Sequence, residues 1–150
     1  NLTFFGKMYG LRGDRLRARI KRCLEIAGLT DSADQPVSTC SGGIRRRLNL
    51  VAALLNEPAV LFLDEPTVGI DAQSRRLIHR QLQTINRQGT TILYTTHYLE
   101  EAGELCGRIG IIDNGRLIEE GRPDDLLSTS NSRTLDELFL HLTGTQLRDA

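Results

Sequence analysis

The sequence predicts an α/β fold in which parallel strands with flanking helices follow an α-helical subdomain. Residues 59–63 are five apolar residues between Pro58 and a pair of carboxylates, as expected for a short strand buried on both faces of a parallel sheet. Residues 90–96 form a second β-branched and apolar run, which predicts another central strand. An amphipathic helical pattern separates the two runs, and this alternation of strand and helix indicates an α/β architecture.

Composition limits the classes of function. The 150 residues include 19 basic and 19 acidic side chains, so the net charge gives no reason to expect binding to nucleic acid or to an anionic membrane. Cys23, Cys40 and Cys106 are odd in number and widely spaced, which argues against a disulfide framework or a zinc site and fits a reducing, cytosolic setting. The apolar runs are too short to span a bilayer, and no secretory signal is visible.

The first part of the chain predicts helices. An apolar-rich segment over residues 1–13 predicts a helix that ends near Gly10. Asp14 is a candidate N-cap for the next helix, and Gly28 is its expected stop. The arginines of this second helix alternate with apolar residues, which is more typical of a solvated face than of a nucleic-acid patch. Residues 29–39 are polar and predict a connecting loop.

The next helix begins with Ser41-Gly42-Gly43. Ser41 is a candidate N-cap, and the helix is expected to run until shortly before Pro58. Two glycines in a first turn cost roughly 1 kcal/mol each relative to alanine. They are explained if bare backbone N–H groups approach a phosphate closely while the helix dipole favours its charge. An ordinary turn before a helix is the alternative interpretation of these three residues.

Asp64 and Glu65 follow the first predicted strand, at the end where open parallel sheets bind ligands. Asp64 is a candidate ligand of Mg²⁺ through water, because this ion prefers oxygen ligands and keeps much of its hydration shell. Glu65 is a candidate for orienting or deprotonating a water that attacks a phosphoryl group. A buried strand followed by a solvated acidic turn is the alternative interpretation of the pair.

The rest of the chain predicts a helix capped by Asp71, a strand that ends at His97, and a short helix over residues 99–106. Asn114-Gly115 predicts a type I′ hairpin between two further strands. The remaining predictions are a short helix from Pro123, a polar linker over 128–133 and an amphipathic helix over 134–142, with His79 and His141 on helix surfaces.

Four motifs together resemble the ATP-binding cassette (ABC) ATPases in their order and spacing. Ser41-Gly42-Gly43 ahead of a basic-then-apolar helix resembles the signature motif. Leu-Phe-Leu-Asp-Glu-Pro-Thr over residues 61–67 resembles the Walker B segment. Val68-Gly69-Ile70-Asp71 resembles the D-loop, and Tyr94-Thr95-Thr96-His97 resembles the strand that delivers the switch histidine.

The resemblance implies part of a P-loop NTPase core, with ATP and Mg²⁺ as cofactors and a head-to-tail dimer with a second ABC ATPase subunit. It implies that Glu65 and His97 are catalytic and that Asp64 serves the metal. The residues it implies for ATP binding are Ser41, Gly42, Gly43 and Asp71. It also implies a transmembrane permease partner and a cytoplasmic location on the inner face of the cell membrane. No nucleic-acid partner is expected.

No Gly-x-x-x-x-Gly-Lys-Ser/Thr phosphate loop (Walker A) occurs in the sequence. Asn1 resembles the start of the segment just after the Q-loop, so we expect a C-terminal fragment of a cassette that is inactive alone. The expected division is a helical signature subdomain over 1–57, the C-terminal part of the ATPase core over 58–127, and a linker with an amphipathic helix over 128–150.

Leu-Asp-Glu-Leu-Phe-Leu-His-Leu-Thr-Gly over residues 135–144 resembles the end of ABC ATPases that serve drug and polysaccharide export. Cys40 and Ile44 stand where the signature usually has Leu and Gln. Two alternatives stay open at this point. One is a soluble ABC protein that acts on ribosomes or DNA ends, and the other is a non-catalytic remnant.

Overall fold

The computed structural model of the protein describes residues 1–144. Its helices and strands are α1 (Leu2–Met8), α2 (Gly13–Ala27), α3 (Gly42–Leu54), β1 (Val60–Asp64), α4 (Ala72–Arg87), β2 (Thr91–Thr95), α5 (Leu99–Leu105), β3 (Ile109–Asp113), β4 (Arg116–Gly121), α6 (Pro123–Ser130) and α7 (Leu135–Thr143). The chain divides into a unit Asn1–Leu93 and a second unit that begins at Tyr94. The α/β prediction is confirmed. The predicted division into a signature subdomain (1–57), a part of the ATPase core (58–127) and a C-terminal segment (128–150) stays a prediction. Residues 145–150 of the last segment lie outside the described residues.

Helices α2 and α3 hold each other through reciprocal arginine contacts. Arg19 of α2 donates to the carbonyls of Leu54, at 2.7 Å, and Leu55, at 3.1 Å. Arg47 of α3 donates to the carbonyls of Ala27, at 3.0 Å, and Gly28, at 3.1 Å. The last carbonyls of a helix lack intrahelical donors, and a cation there also complements the helix dipole. Each helix therefore supplies the C-terminal cap of the other, and the two run antiparallel.

Most of the predicted helix ends are confirmed. Gly28 ends α2 in the left-handed region, with φ 59°, and Asp71 caps α4. The prediction for Asp14 is wrong, because the N-cap of α2 is Arg12. The helix begins one residue before Asp14, at Gly13. Asp14 therefore lies in the first turn, where a carboxylate complements the helix dipole.

Strands β1 and β2 are neighbours in a two-stranded sheet among the described residues, and α4 forms the crossover that a parallel pair needs. The prediction that β1 is buried on both faces is wrong. Leu61 is buried, but Val60 is 48% and Phe62 is 72% exposed. Side chains alternate between the two faces of a strand, and within residues 1–144 the face of β1 that carries Leu61 is covered more than the face that carries Val60 and Phe62. β2 is likewise not a central strand in the described part of the chain, since it pairs with β1 alone.

The second unit is organised around the β3–β4 hairpin. Asn114 and Gly115 have φ values of 47° and 75°, as a type I′ turn requires, so the hairpin prediction is confirmed. The predicted linker over 128–133 is partly wrong, because α6 continues to Ser130 before Asn131 ends it in the left-handed region. The buried apolar cluster of this unit draws on β3, α6 and α7, and its members are Ile109, Ile111, Leu126, Leu135 and Leu138. None of the helices within residues 1–144 is long and apolar enough to cross a membrane.

Candidate functional site

Asp64 and Glu65 lie where β1 ends and a tight turn begins. Asp64 is exposed and is the last residue of the strand, while Glu65 is half-buried. Glu65 has φ 43°, which is uncommon for a residue other than glycine. The turn is closed by the amide of Val68, which donates to the Glu65 carbonyl at 3.3 Å, and the side chain of Thr67 is fully buried within it. The hydrogen bond and the burial of Thr67 therefore hold in place the backbone that carries Glu65.

Ser41 caps α3 as predicted. Its hydroxyl oxygen accepts a hydrogen bond from the amide of Ile44 at 3.3 Å, so one of the orphan N–H groups of the first turn is satisfied. Gly42 is exposed, and a Cβ added to it would meet nothing within 4 Å. The first turn of α3 is thus open to a ligand at Gly42.

Gly43 is in a different environment. A Cβ at this position would lie 2.5 Å from Ser74 Oγ and 3.2 Å from Ser74 Cβ, and 3.8 Å from Asp71 Oδ2. The starts of α3 and α4 therefore meet at Gly43, and this contact brings Asp71 beside the Ser-Gly-Gly motif. Close packing against Ser74 favours glycine at position 43, and this reason is separate from the close approach of a phosphate that the sequence suggests.

Asp71 is engaged in capping α4. Its Oδ1 accepts from the amide of Ser74 at 2.9 Å. Hydrogen bonds from the backbone and side chain of Ser74 hold the pKa of the Asp71 carboxyl below its usual range, because they favour the charged form. Asp71 is thus an anion at neutral pH.

Arg46 is a site residue that sequence reasoning missed. Its Nε donates to the carbonyl of Pro66 at 2.8 Å, and its Nη2 donates to the carbonyl of Glu65. One guanidinium therefore links α3 to the turn that carries Glu65. The sequence shows only three consecutive arginines, Arg45, Arg46 and Arg47, and no local pattern distinguishes the one that makes this link.

In the second unit, His97 follows β2 in a turn supported by a buried carboxylate. Glu101 is only 4% exposed, and its Oε2 accepts from Tyr94 Oη at 2.7 Å and from Thr96 Oγ1 at 3.2 Å. Thr96 Oγ1 in turn accepts from the amide of Tyr98 at 3.0 Å. These bonds fix the backbone on both sides of His97, whose ring centroid lies 4.2 Å from that of Tyr98. Glu101 was also missed, because the sequence does not show which acid of α5 is buried.

The described residues fit a hydrated magnesium ion better than a metal held entirely by protein. No group of three or more His, Cys, Asp or Glu residues within 1–144 could hold a metal. A single exposed carboxylate such as Asp64 suits Mg²⁺, which keeps several waters and takes further oxygens from a phosphate. A groove of 230 Å³ beside Asp64 is smaller than the roughly 300–1,000 Å³ of typical small-molecule pockets, so it does not enclose a nucleotide by itself.

Comparison with known proteins identifies the family. The family described as ABC transporter matches residues 2–68. The linearmycin resistance ATP-binding protein LnrL of Bacillus subtilis is 47% identical over 138 residues, which cover 92% of this chain and 44% of that protein. The chain belongs to the ABC transporter family. The prediction made from the four motifs is therefore confirmed.

Two further relatives are also named as ATP-binding proteins of export or of drug resistance. The Nod factor export ATP-binding protein I of Ralstonia nicotianae is 47% identical over 128 residues, 85% of this chain and 40% of that protein. The daunorubicin resistance ATP-binding protein DrrA2 of Streptomyces coeruleorubidus is 48% identical over 126 residues, 84% of this chain and 39% of that protein. The chain spans less than half the length of these three ABC proteins.

Solved ABC structures share the fold. The structure of an ATP-binding subunit of an ABC transporter superposes with a TM-score of 0.78 at 26% identity, covering 94% of this chain and 61% of the other. The cbiO1 protein of Clostridium perfringens, part of the ABC transporter complex cbiONQ, gives a TM-score of 0.77 at 28% identity, with 87% and 52% covered. The described fold is thus the fold of the corresponding part of an ABC ATPase.

Proposed function

We propose that the chain is the C-terminal part of the ATP-binding component of an export-type ABC transporter, which couples ATP binding and hydrolysis to export through a membrane partner. The observation that carries this proposal is the 47% identity, across 92% of the chain, to a resistance ATP-binding protein. Similar identities to proteins of Nod factor export and daunorubicin resistance support the export class. No observation favours a soluble ABC protein that acts on ribosomes or DNA ends.

The proposed chemistry uses the residues at the ends of β1 and β2. Glu65 orients a water for attack on the γ-phosphorus of ATP and accepts its proton as the bond to the ADP oxygen breaks. Asp64 would hold Mg²⁺ through water, and the bound ion would offset negative charge on the phosphate oxygens. His97 donates a hydrogen bond to the γ-phosphate, where a fixed donor stabilises the charge of the transition state.

The proposed binding surface is the start of α3. Ser41, Gly42 and Gly43, with Asp71 beside them, contact the ATP of a second ABC ATPase subunit in a head-to-tail dimer. The open surroundings of Gly42 and the unpaired first-turn amides typical of a helix start support this role. The other proposed partner is a transmembrane permease, which would place the chain on the cytoplasmic face of the cell membrane.

In this proposal the 150 residues do not hydrolyse ATP alone. Their sequence contains no Gly-x-x-x-x-Gly-Lys-Ser/Thr motif, whose amides and lysine hold the phosphates in P-loop enzymes. A phosphate loop from sequence outside these residues completes the site.

The test measures ATP hydrolysis by the chain alone and after co-expression with an N-terminal cassette segment that carries a phosphate loop. We expect turnover only from the co-expressed pair. Glu65→Gln in that pair should lower kcat by about 100-fold or more, the scale of a lost general base, while ATP binding persists. Glu25→Gln, at an exposed position of α2, is the matched control and should keep the activity of the unsubstituted pair.

Each of the other outcomes would contradict a specific part of the proposal. Hydrolysis by the chain alone that is abolished by Glu65→Gln would overturn the need for the missing loop. Normal turnover of the Glu65→Gln pair would overturn the role of Glu65. A co-purified pair that is folded by circular dichroism and still inactive would support the non-catalytic remnant instead.

A further inference from the structure

We infer that Arg46 is a positioning residue for Glu65, an inference that rests on the catalytic role proposed above for Glu65. The starting observation is the backbone of Glu65, whose φ is 43°. Residues other than glycine, asparagine and aspartate rarely adopt this left-handed conformation. Such a conformation is energetically unfavourable, and it persists only where the surrounding structure holds it. The contacts that hold this turn are therefore of particular interest.

Arg46 supplies two of those contacts to consecutive carbonyls. Its Nε donates to Pro66 at 2.8 Å and its Nη2 donates to Glu65. A guanidinium is planar and rigid, so two donors from one fork fix the relative orientation of the two peptide groups that they bind. These peptides flank Pro66 on either side, and the first of them begins at Glu65. Arg46 therefore fixes the direction in which the Glu65 side chain leaves the backbone.

The two bonds are partly shielded from water. Arg46 is half-buried, Pro66 is buried, and Thr67 next to it is fully buried. Hydrogen bonds from a charged donor in such surroundings are stronger than exposed ones. The neighbouring Arg45 is exposed on the same helix, which makes it a matched control for charge, size and helix propensity.

A position held in this way matters for catalysis more than for binding. A general base must lie within hydrogen-bonding reach of the water that it deprotonates, and small misplacements are costly in rate. Loss of the guanidinium should therefore lower kcat while leaving the KM for ATP nearly unchanged. If Arg46 only stabilised the fold, the loss of kcat on its substitution would be the same whichever residue stood at position 65.

The first experiment uses the 150-residue chain itself. Amide hydrogen exchange by NMR reports on the bond from the Val68 amide to the Glu65 carbonyl, which closes the turn. We expect Arg46→Met to increase exchange at Val68 by about tenfold, because the turn opens more easily, and Arg45→Met to leave it unchanged. Unchanged protection of Val68 in folded Arg46→Met would overturn the inference whatever the outcome for hydrolysis.

The second experiment is a double-mutant cycle in the co-expressed pair with ATP as substrate. Arg46→Met should lower kcat by about tenfold or more, with less than about a twofold change in KM. Arg46→Lys keeps the charge but loses the forked pair of donors, so its kcat should lie between those of Arg46→Met and the unsubstituted pair. In the Glu65→Gln background, Arg46→Met should have less than about a twofold further effect. Equal losses in both backgrounds would overturn the inference. If turnover were insensitive to Glu65→Gln, the proposed function would be overturned instead. The exchange experiment at Val68 would then still test whether Arg46 holds the turn.

Discussion

At the scale of single residues, the two glycines at the start of α3 are surrounded very differently. A Cβ at Gly42 meets nothing within 4 Å, whereas a Cβ at Gly43 would lie 2.5 Å from Ser74 Oγ. The second glycine therefore packs closely against Ser74 of α4, independently of any ligand. Gly42 has no such packing contact, and its exposed backbone is accessible to a ligand.

Substituting each glycine separates the two cases. Gly43→Ala should lower the free energy of unfolding by about 1–3 kcal/mol, because Ser74 must move and its Cβ has little freedom to do so. Gly42→Ala should change it by less than about 1 kcal/mol, in the stabilising direction, through helix propensity. Urea unfolding followed by circular dichroism measures both. Equal destabilisation by the two substitutions would contradict the packing explanation.

At the scale of elements, side chains that bind backbone groups join α2 to α3 and cap the start of α4. Arg19 and Arg47 cap the helix opposite their own, and Asp71 caps the start of α4. The cap at Asp71 makes the stability of α4 depend on pH. Because the pKa of its carboxyl is lower in the folded chain than in the unfolded one, the folded chain binds the proton less readily.

The sign of this pH dependence follows directly. The stabilisation by ionised Asp71 is complete above the pKa of the unfolded chain and is lost as the pH falls through the lower pKa of the folded chain. We therefore expect the difference in free energy of unfolding between the unsubstituted chain and Asp71→Asn to shrink below about pH 4. Urea titrations at a series of pH values measure it. A difference that stays constant to low pH would show that the carboxyl charge does not contribute.

At the scale of the whole molecule, the described chain leaves apolar sheet surface open. Val60 and Phe62 of β1 and Leu93 of β2 are each about half exposed or more. Within residues 1–144, β1 and β2 pair only with each other, so each also has an edge without a neighbouring strand. Exposed apolar strands with unpaired edges are typical sites of association.

We expect the isolated chain to self-associate through this sheet. Phe62→Ser should reduce concentration-dependent association in sedimentation velocity, because it removes the most exposed apolar side chain of β1, which is 72% exposed. Phe4→Ser, on α1 and 63% exposed, is a control of similar size that lies on a helix. An equal reduction by Phe4→Ser would attribute the association to general exposure of apolar side chains.

The sequence by itself determined the features that depend on neighbouring residues. The cap at Ser41, the helix end at Gly28 and the hairpin turn at Asn114-Gly115 each involve groups only a few residues apart, so propensity and spacing were sufficient. The four motifs likewise predicted the family, because they lie in short stretches with a definite order. The error at Asp14 was a shift of two positions between neighbouring candidates for the cap.

Only the tertiary structure decided which side chains reach distant backbone. Arg46 binds carbonyls 19 and 20 residues away, and Arg19 binds carbonyls 35 and 36 residues away, whereas Arg45 remains exposed. The burial of Glu101 and the exposure of Phe62 depend in the same way on which surfaces the chain covers. The physical reason is that burial and long-range hydrogen bonds are properties of how elements pack, and a local pattern of residue types does not specify them.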